Sequence, residues 1–304
     1  MSGPPSHFVK IFGERNSGTR AVTQMVRKVK TIHTCRERPE ANSPHTAEDD
    51  FRDKIGEYYG GKWRRLYDEA LTDQLSCANP SVSRWKHAVV AYDDSFVSAK
   101  ASVMFCVRNP YSWAIALAKR PYHRKGPQAE SFDEFVDRPW LTVGREHAPA
   151  VVRSPLALWN LKYASYLNFT NIAAVPNTVV RFEDFIADPV PYLVDKMESV
   201  GLPTGGVAEI EKSTKDDRSL DDIRNYYIEE KWRSWLSAPV VEAINRHIDW
   251  NIALYFGYGP LQPKDFPAEV SPAAKKEMGR WFADPRSKNS SRSRSWPLRL
   301  GFRW

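Results

Sequence analysis

Residues 7–20 read His-Phe-Val-Lys-Ile-Phe-Gly-Glu-Arg-Asn-Ser-Gly-Thr-Arg, a short apolar run that passes directly into a polar loop bracketed by Gly13 and Gly18. Val22, Met25, Val26 and Val29 follow at helical spacing. A strand feeding such a loop and then a helix turns successive backbone N–H groups, and the positive end of the helix, toward one anion. The strand has Phe8, Val9, Ile11 and Phe12 on both faces, so it belongs inside a parallel sheet covered on both sides. Gly13 and Gly18 stand where the glycines of a GxxxxGK[ST] loop stand, but Thr19 and Arg20 replace its Lys and Ser/Thr. The loop therefore predicts a phosphate site and argues against ordinary ATP or GTP hydrolysis. Ser17 and Thr19 offer hydroxyl donors, and Arg15 and Arg20 offer charge.

Further runs repeat the strand-then-helix theme. Val103 to Val107 enters Arg108-Asn109-Pro110, and Pro110 suits the first turn of a helix that continues through Trp113-Ala-Ile-Ala-Leu. Thr178 to Arg181 is a third strand, and Asp188-Pro189 opens a helix that Gly201 closes after Val200. Residues 223–256 read as mainly helical, and 34–62 as an irregular, turn-rich excursion near the active site. Strands alternating with helices predict a three-layer α/β/α fold with a central parallel sheet, like that of P-loop-containing nucleotide hydrolases. One domain is expected over 7–262. A C-terminal extension follows over 263–304, and its Ser- and Arg-rich end, 284–304, is expected to be disordered.

The 304 residues, 42% of them hydrophobic, suffice for a substantial core, and 11 Trp and 13 Tyr suit deep aromatic-lined surfaces. Cys35, Cys77 and Cys106 show no metal spacing, which suggests a reduced, cytoplasmic setting. No apolar run reaches membrane-spanning length, and the N-terminus lacks the pattern of a secretory signal, so no membrane association is expected. The net charge of +7 admits nucleic acid, but an anionic co-substrate plus a basic tail accounts for it equally, and nucleic acid is not expected as a partner.

Taken together, the loop and the 108–117 segment resemble the PAPS-dependent sulfotransferase family. The family's loop, usually Lys-Ser-Gly-Thr-Thr, holds the 5′-phosphosulfate of 3′-phosphoadenosine-5′-phosphosulfate (PAPS). Ser17-Gly18-Thr19 matches its centre, and the family lysine falls at Asn16. The resemblance leaves open whether Arg15 or Arg20 supplies the missing cation. Val107-Arg108-Asn109-Pro110 resembles the second motif, whose arginine grips the 3′-phosphate through two parallel hydrogen bonds. The motif's serine falls at Ala116, and Ser112, one turn earlier, is the substitute candidate. Arg124-Lys125-Gly126 has the letters of a late family motif at a different place, and its role is not transferred.

Sulfuryl transfer requires a base for the acceptor's proton. The family's base is often a His about twenty residues before the Arg-Asn-Pro arginine. His87 lies 21 residues before Arg108, next to Lys86, which would orient substrate or neutralise sulfate. Glu48, Glu57, Glu69, His33, His45, His123 and His147 are lesser candidates. Arg181-Phe-Glu183-Asp184 with Asp188-Pro189 resembles a scaffold element of the family, and Tyr227, Lys231 and Trp232 a late cofactor-proximal stretch. The resemblance thus implies a sulfotransferase acting from PAPS, without metal, on a hydroxyl or amine of a small-molecule or glycan acceptor. The cofactor contacts implied are Arg15, Asn16, Ser17, Gly18, Thr19, Arg20, Arg108 and Ser112, with His87, Arg15 and Lys86 catalytic. Two other readings compete: a P-loop small-molecule kinase using ATP-Mg, and a non-catalytic nucleic-acid-binding protein.

Overall fold

The computed structural model describes residues 6–35, 79–123, 129–210 and 219–283, with isolated residues between 54 and 77. Four strands, β1 (His7–Gly13), β2 (Ile32–Thr34), β3 (Ala101–Val107) and β6 (Asn177–Arg181), form one sheet in the order β2-β1-β3-β6. Every pairing in it is parallel, with Phe12 beside Phe105 and Gly13 beside Cys106. Two short strands, β4 (Trp140–Leu141) and β5 (Val151–Val152), pair antiparallel apart from it.

The helices are α1 (Thr19–Val26), α2 (Asp94–Ser98), α3 (Pro110–Lys119), α4 (Phe132–Asp137), α5 (Pro155–Ile172), α6 (Phe182–Ala187), α7 (Pro189–Glu198), α8 (Leu220–Ile228), α9 (Ala238–His247), α10 (Trp250–Tyr255) and α11 (Pro272–Phe282). No described helix is long and apolar enough to cross a membrane.

The period-2 alternation of β3 sorts the core. All seven of its residues are buried. Val103, Phe105 and Val107 join a cluster with Phe12, Trp113, Trp159, Tyr163 and Tyr166, beneath α3 and α5. Met104 and Cys106 join Val9, Ile11, Val22, Met25, Leu193 and Met197, beneath α1 and α7. Each fully buried side chain of this size stabilises by about 1.5–3 kcal/mol, so both faces of the sheet need a helical cover. The result is the three-layer α/β/α arrangement expected from the alternation of elements.

α1, β3, β6 and α7 fall where the sequence places them, and Gly201 has the left-handed φ of 70° that closes α7. Val29 is buried, but in the turn after α1 rather than within it. α11 lies in the stretch read as an extension and packs Met278 and Trp281 into the larger cluster. The 284–304 tail, Arg124-Lys125-Gly126, and Glu48, Glu69 and His45 lie outside the described residues.

Strand order reverses direction at β1, with β2 on one side and β3 on the other. At such a switch point the loops beyond the strand ends diverge and leave a crevice. Here those loops are 13–18 and 108–109. Gly18 caps α1 in the left-handed region, at φ 87°, and a Cβ there would stand 3.0 Å from Phe182 Cδ2. Gly201 has a similar φ with open space around it. Gly18→Ala should therefore cost about 1–2 kcal/mol for the left-handed backbone, and more than Gly201→Ala because Phe182 must also shift. Urea denaturation of the two variants checks this; equal stabilities would contradict the close approach.

Candidate functional site

Within the loop, Ser17 N–H and Oγ–H both donate to Glu14 O, and Asn16 takes a left-handed φ of 64°. This tight turn buries Ser17 and brings Gly18 to the start of α1. α1 has no side-chain cap and no acidic residue in its first turn. α2, α4, α5 and α8 are capped by Asp93, Ser131, Ser154 and Ser219, whereas α6, α7 and α9 lack a side-chain cap as α1 does. The first N–H groups of α1 therefore donate no hydrogen bond to an N-cap side chain.

Buried aromatic rings hold both loops by their polar tips. Trp113 Nε1–H donates to Arg15 O at 2.8 Å, and Trp159 Nε1–H to Arg108 O at 3.2 Å. Arg108 N–H donates to the Tyr163 hydroxyl at 2.6 Å. All three rings are fully buried. Asn109 Oδ1 accepts from Tyr111 N–H and caps α3, with Pro110 in its first turn. Glu183 accepts from Asn109 N–H at 3.0 Å and from the Tyr258 hydroxyl at 2.9 Å, which ties the stretch after β6 to the Arg-Asn-Pro turn.

Arg15 and Arg108 are both buried but differently held. Arg108 donates from Nη1 to Asn16 O (2.6 Å), from Nε to Ser112 Oγ (2.9 Å), and from Nη2 to Ser112 O and the Tyr227 hydroxyl. Its guanidinium lies 4.4 Å from the Phe182 ring centre and 4.9 Å from that of Tyr227. Arg108 therefore clamps the 13–18 loop to α3 directly.

Arg15 shares Nη1 between Glu14 Oε1 (2.8 Å) and Glu146 Oε1 (2.6 Å), while Lys162 Nζ pairs with both carboxylates. Two buried carboxylates thus balance two buried cations. Burial opposes the Arg15 charge, but Glu14 and Glu146 raise its pKa above the ordinary arginine value. Burial pushes Glu146 up, but Lys162 and Arg15 override it and pull Glu146 down to about 2. Arg15 Nε and Nη2 are buried and have no hydrogen-bond partner in the protein, while the guanidinium lies 5.2 Å from the Trp85 ring centre.

His87 Nδ1 lies against Gly13 O, and Gly13 N–H donates to Lys86 O at 2.9 Å. A carbonyl only accepts, so Nδ1 carries the proton and Nε2 keeps its lone pair. Burial, then the Arg15 charge, holds the His87 pKa well below 6.5, so the ring is neutral near pH 7.

These groups open on one cavity of about 630 Å³. Of the predicted residues, Arg15, Asn16, Gly18, Thr19, Arg20, Lys86, His87, Arg108 and Ser112 line it, and Ser17 does not. Arg15, Arg20, Lys86, Arg108, Lys119 and Arg120 contribute cationic side chains, and no described carboxylate is among the lining residues. Phe182, Tyr226, Tyr227 and Trp232 add aromatic walls. Glu57 is exposed and His33 sits exposed on β2, both away from this lining.

Sequence reasoning missed Glu14, Glu146 and Lys162. The helix that carries Lys162, α5, announces itself only through Ser154-Pro155, an N-cap followed by an N1 proline. Removing Lys162 leaves two buried carboxylates facing one arginine. Lys162→Met should cost about 3–5 kcal/mol, and adding Glu146→Gln should recover part of the loss. Equilibrium denaturation of both variants measures this; a fully stable Lys162→Met protein would contradict the cluster.

No protein-family model matches the sequence, and no curated protein matches it. Among solved structures, the chain is similar to the sulfotransferase domain from the curacin biosynthetic pathway, at 13% identity over 86% of this chain and 100% of that one, with a TM-score of 0.42. It is also similar to a sulfotransferase from Alicyclobacillus acidocaldarius, at 17% identity over 82% of this chain and 98% of that one, with a TM-score of 0.34.

Proposed function

We propose that the protein is a sulfotransferase that takes a sulfuryl group from PAPS. The observation that carries this reading is the cavity itself: six cationic side chains and no described carboxylate, around an uncapped helix start and a buried arginine edge without a hydrogen-bond partner. Such a lining suits a compact polyanion. PAPS supplies a sulfuryl group on a phosphosulfate anhydride.

In this reading the start of α1 and Thr19 bind the 5′-phosphosulfate, and Arg15 supplies the charge that Asn16 lacks. Glu14 and Glu146 hold the guanidinium by Nη1 and leave Nε and Nη2 for the anion. Arg108 and Ser112 bind the 3′-phosphate, with Tyr227 and Phe182 as neighbours. Arg20 and Lys86 add charge at the rim. Positive groups fixed in advance stabilise charge as it develops on the leaving phosphate.

His87 Nε2 takes the acceptor's proton. Its Nδ1–H, anchored on Gly13 O, fixes the ring and its tautomer. Because the neutral ring is the working form and its pKa is lowered, the base stays functional on the acid side of 6.5.

The test compares ligands and variants. Adenosine 3′,5′-bisphosphate should raise the melting temperature more than ATP-Mg; stabilisation by ATP-Mg alone would contradict the reading. Arg108→Lys keeps the charge but loses the fork, and should weaken bisphosphate binding about tenfold or more. His87→Asn keeps a donor near Gly13 O and removes the Nε2 lone pair. It should bind bisphosphate normally yet lose about 10²–10⁴-fold in transfer from PAPS. The rate of the parent protein should stay level as pH falls from 8 through 6.5; a decline centred at 6.5 would show an unshifted histidine.

A further inference from the structure

A second imidazole faces the same cavity. His123 lines it together with His87 and Trp85. The ring centres of both histidines stand about 5 Å from that of Trp85, at 4.8 Å for His87 and 5.0 Å for His123, each edge-on. Trp85 is itself fixed by guanidinium groups, with Arg15 at 5.2 Å and Arg145 at 4.8 Å from its ring centre. Both imidazoles thus pack edge-on against one indole.

Their partners impose opposite tautomers. His123 Nδ1 lies 2.9 Å from Arg145 Nη2. A guanidinium only donates, so His123 Nδ1 is the acceptor and the proton of the neutral ring sits on Nε2. Arg145 is fixed in turn by Asp73, with Nη1 to Oδ1 at 2.8 Å. His123 is exposed at the cavity mouth; partial desolvation of its ring, with the Arg15 and Arg145 charges nearby, lowers its pKa to about 4, so the ring is neutral at pH 7. His87 has the reverse assignment, proton on Nδ1 and lone pair on Nε2. One imidazole therefore presents an acceptor and the other a donor.

We infer that His123 Nε2–H donates a hydrogen bond to the nucleophilic atom of the sulfuryl acceptor while His87 Nε2 accepts that atom's proton, and that this pair selects a hydroxyl over an amine. The inference rests on the proposed sulfuryl transfer. A hydroxyl oxygen has two lone pairs, so one attacks sulfur while the other accepts from His123. Its O–H points to His87. A neutral amine has one lone pair, which the attack uses, and a donor aimed at it is left unsatisfied. The balance closes: the O–S bond forms, the S–O bond to the bisphosphate breaks with its electron pair leaving on phosphate, and the hydroxyl proton goes to His87.

Three measurements on the full chain test this. Nitrogen-15 NMR of histidine-labelled protein at pH 7 with adenosine 3′,5′-bisphosphate reads the tautomers, with His87→Gln and His123→Gln supplying assignments. The expected result is an Nδ1–H ring at His87 and an Nε2–H ring at His123. A His123 protonated at Nδ1, or on both nitrogens, overturns the proposal. Tyramine and glucosamine each offer a hydroxyl and an amine. With PAPS as donor, mass spectrometry should show O-sulfate, and N-sulfate as the main product overturns the proposal. His123→Ala should lower kcat toward the hydroxyl about tenfold with bisphosphate affinity unchanged, and His123→Gln, which keeps a donor near Nε2, should restore most of it. An unchanged kcat in His123→Ala overturns the role. Failure of the bisphosphate to bind would instead remove the sulfotransferase reading and leave the tautomers standing.

Discussion

Glu14, Arg15, Glu146 and Lys162 meet in a buried cluster where two carboxylates neutralise two cations, and three distant segments of chain come together there. Taking each ion out of water costs several kcal/mol, which only close pairing offsets. The cluster is therefore a poor source of net stability and a strong constraint on geometry. Lys162 fixes α5 against the 13–18 loop, and Glu146 fixes the 144–146 turn against both. Glu146 also accepts from Val143 N–H, and its carbonyl accepts from Val89 N–H, two residues beyond His87. The base candidate and the cationic candidate are thus referenced to one buried group.

The cluster fixes one edge of Arg15 and leaves the other. Nη1 is consumed by Glu14 and Glu146, while Nε and Nη2 have no hydrogen-bond partner in the protein. A lysine at Asn16 would have carried a flexible point charge; an arginine gripped by carboxylates carries a planar, oriented one. The same charge, after burial itself, keeps His87 neutral. Arg108 works by a different economy, since its fork already closes on Asn16 O, Ser112 and Tyr227. An incoming phosphate would compete with these contacts.

Much of this was legible in the sequence because it is local. The strand-loop-helix at 7–26 shows in a run of apolar residues, two glycines and helical spacing. Arg108-Asn109-Pro110 shows as a strand end followed by a proline suited to a first helical turn, though the cap that Asn109 provides does not. What was not legible is long-range. Nothing near Glu146 or Lys162 in sequence marks them as partners of Arg15, because they reach it only through the packing of α5 on the sheet. α5 itself is hard to see by periodicity, since its apolar residues surround it. Ser17 looked like a hydroxyl for phosphate, and its Oγ instead closes the turn onto Glu14 O. The polar tips of Trp113, Trp159 and Tyr163 were invisible for the same reason: an aromatic count says nothing of which carbonyl each tip meets.

In the proposed reaction, the Arg15 edge of Nε and Nη2, which have no hydrogen-bond partner in the protein, would meet the anion. Arginine Nε–H NMR of the full chain, titrated with adenosine 3′,5′-bisphosphate, measures that edge directly. The Arg15 Nε resonance should shift and become protected from exchange as the site fills, while its pairing with Glu14 and Glu146 persists. An Arg15 resonance that stays unchanged at saturation, with Arg108 alone responding, would contradict it.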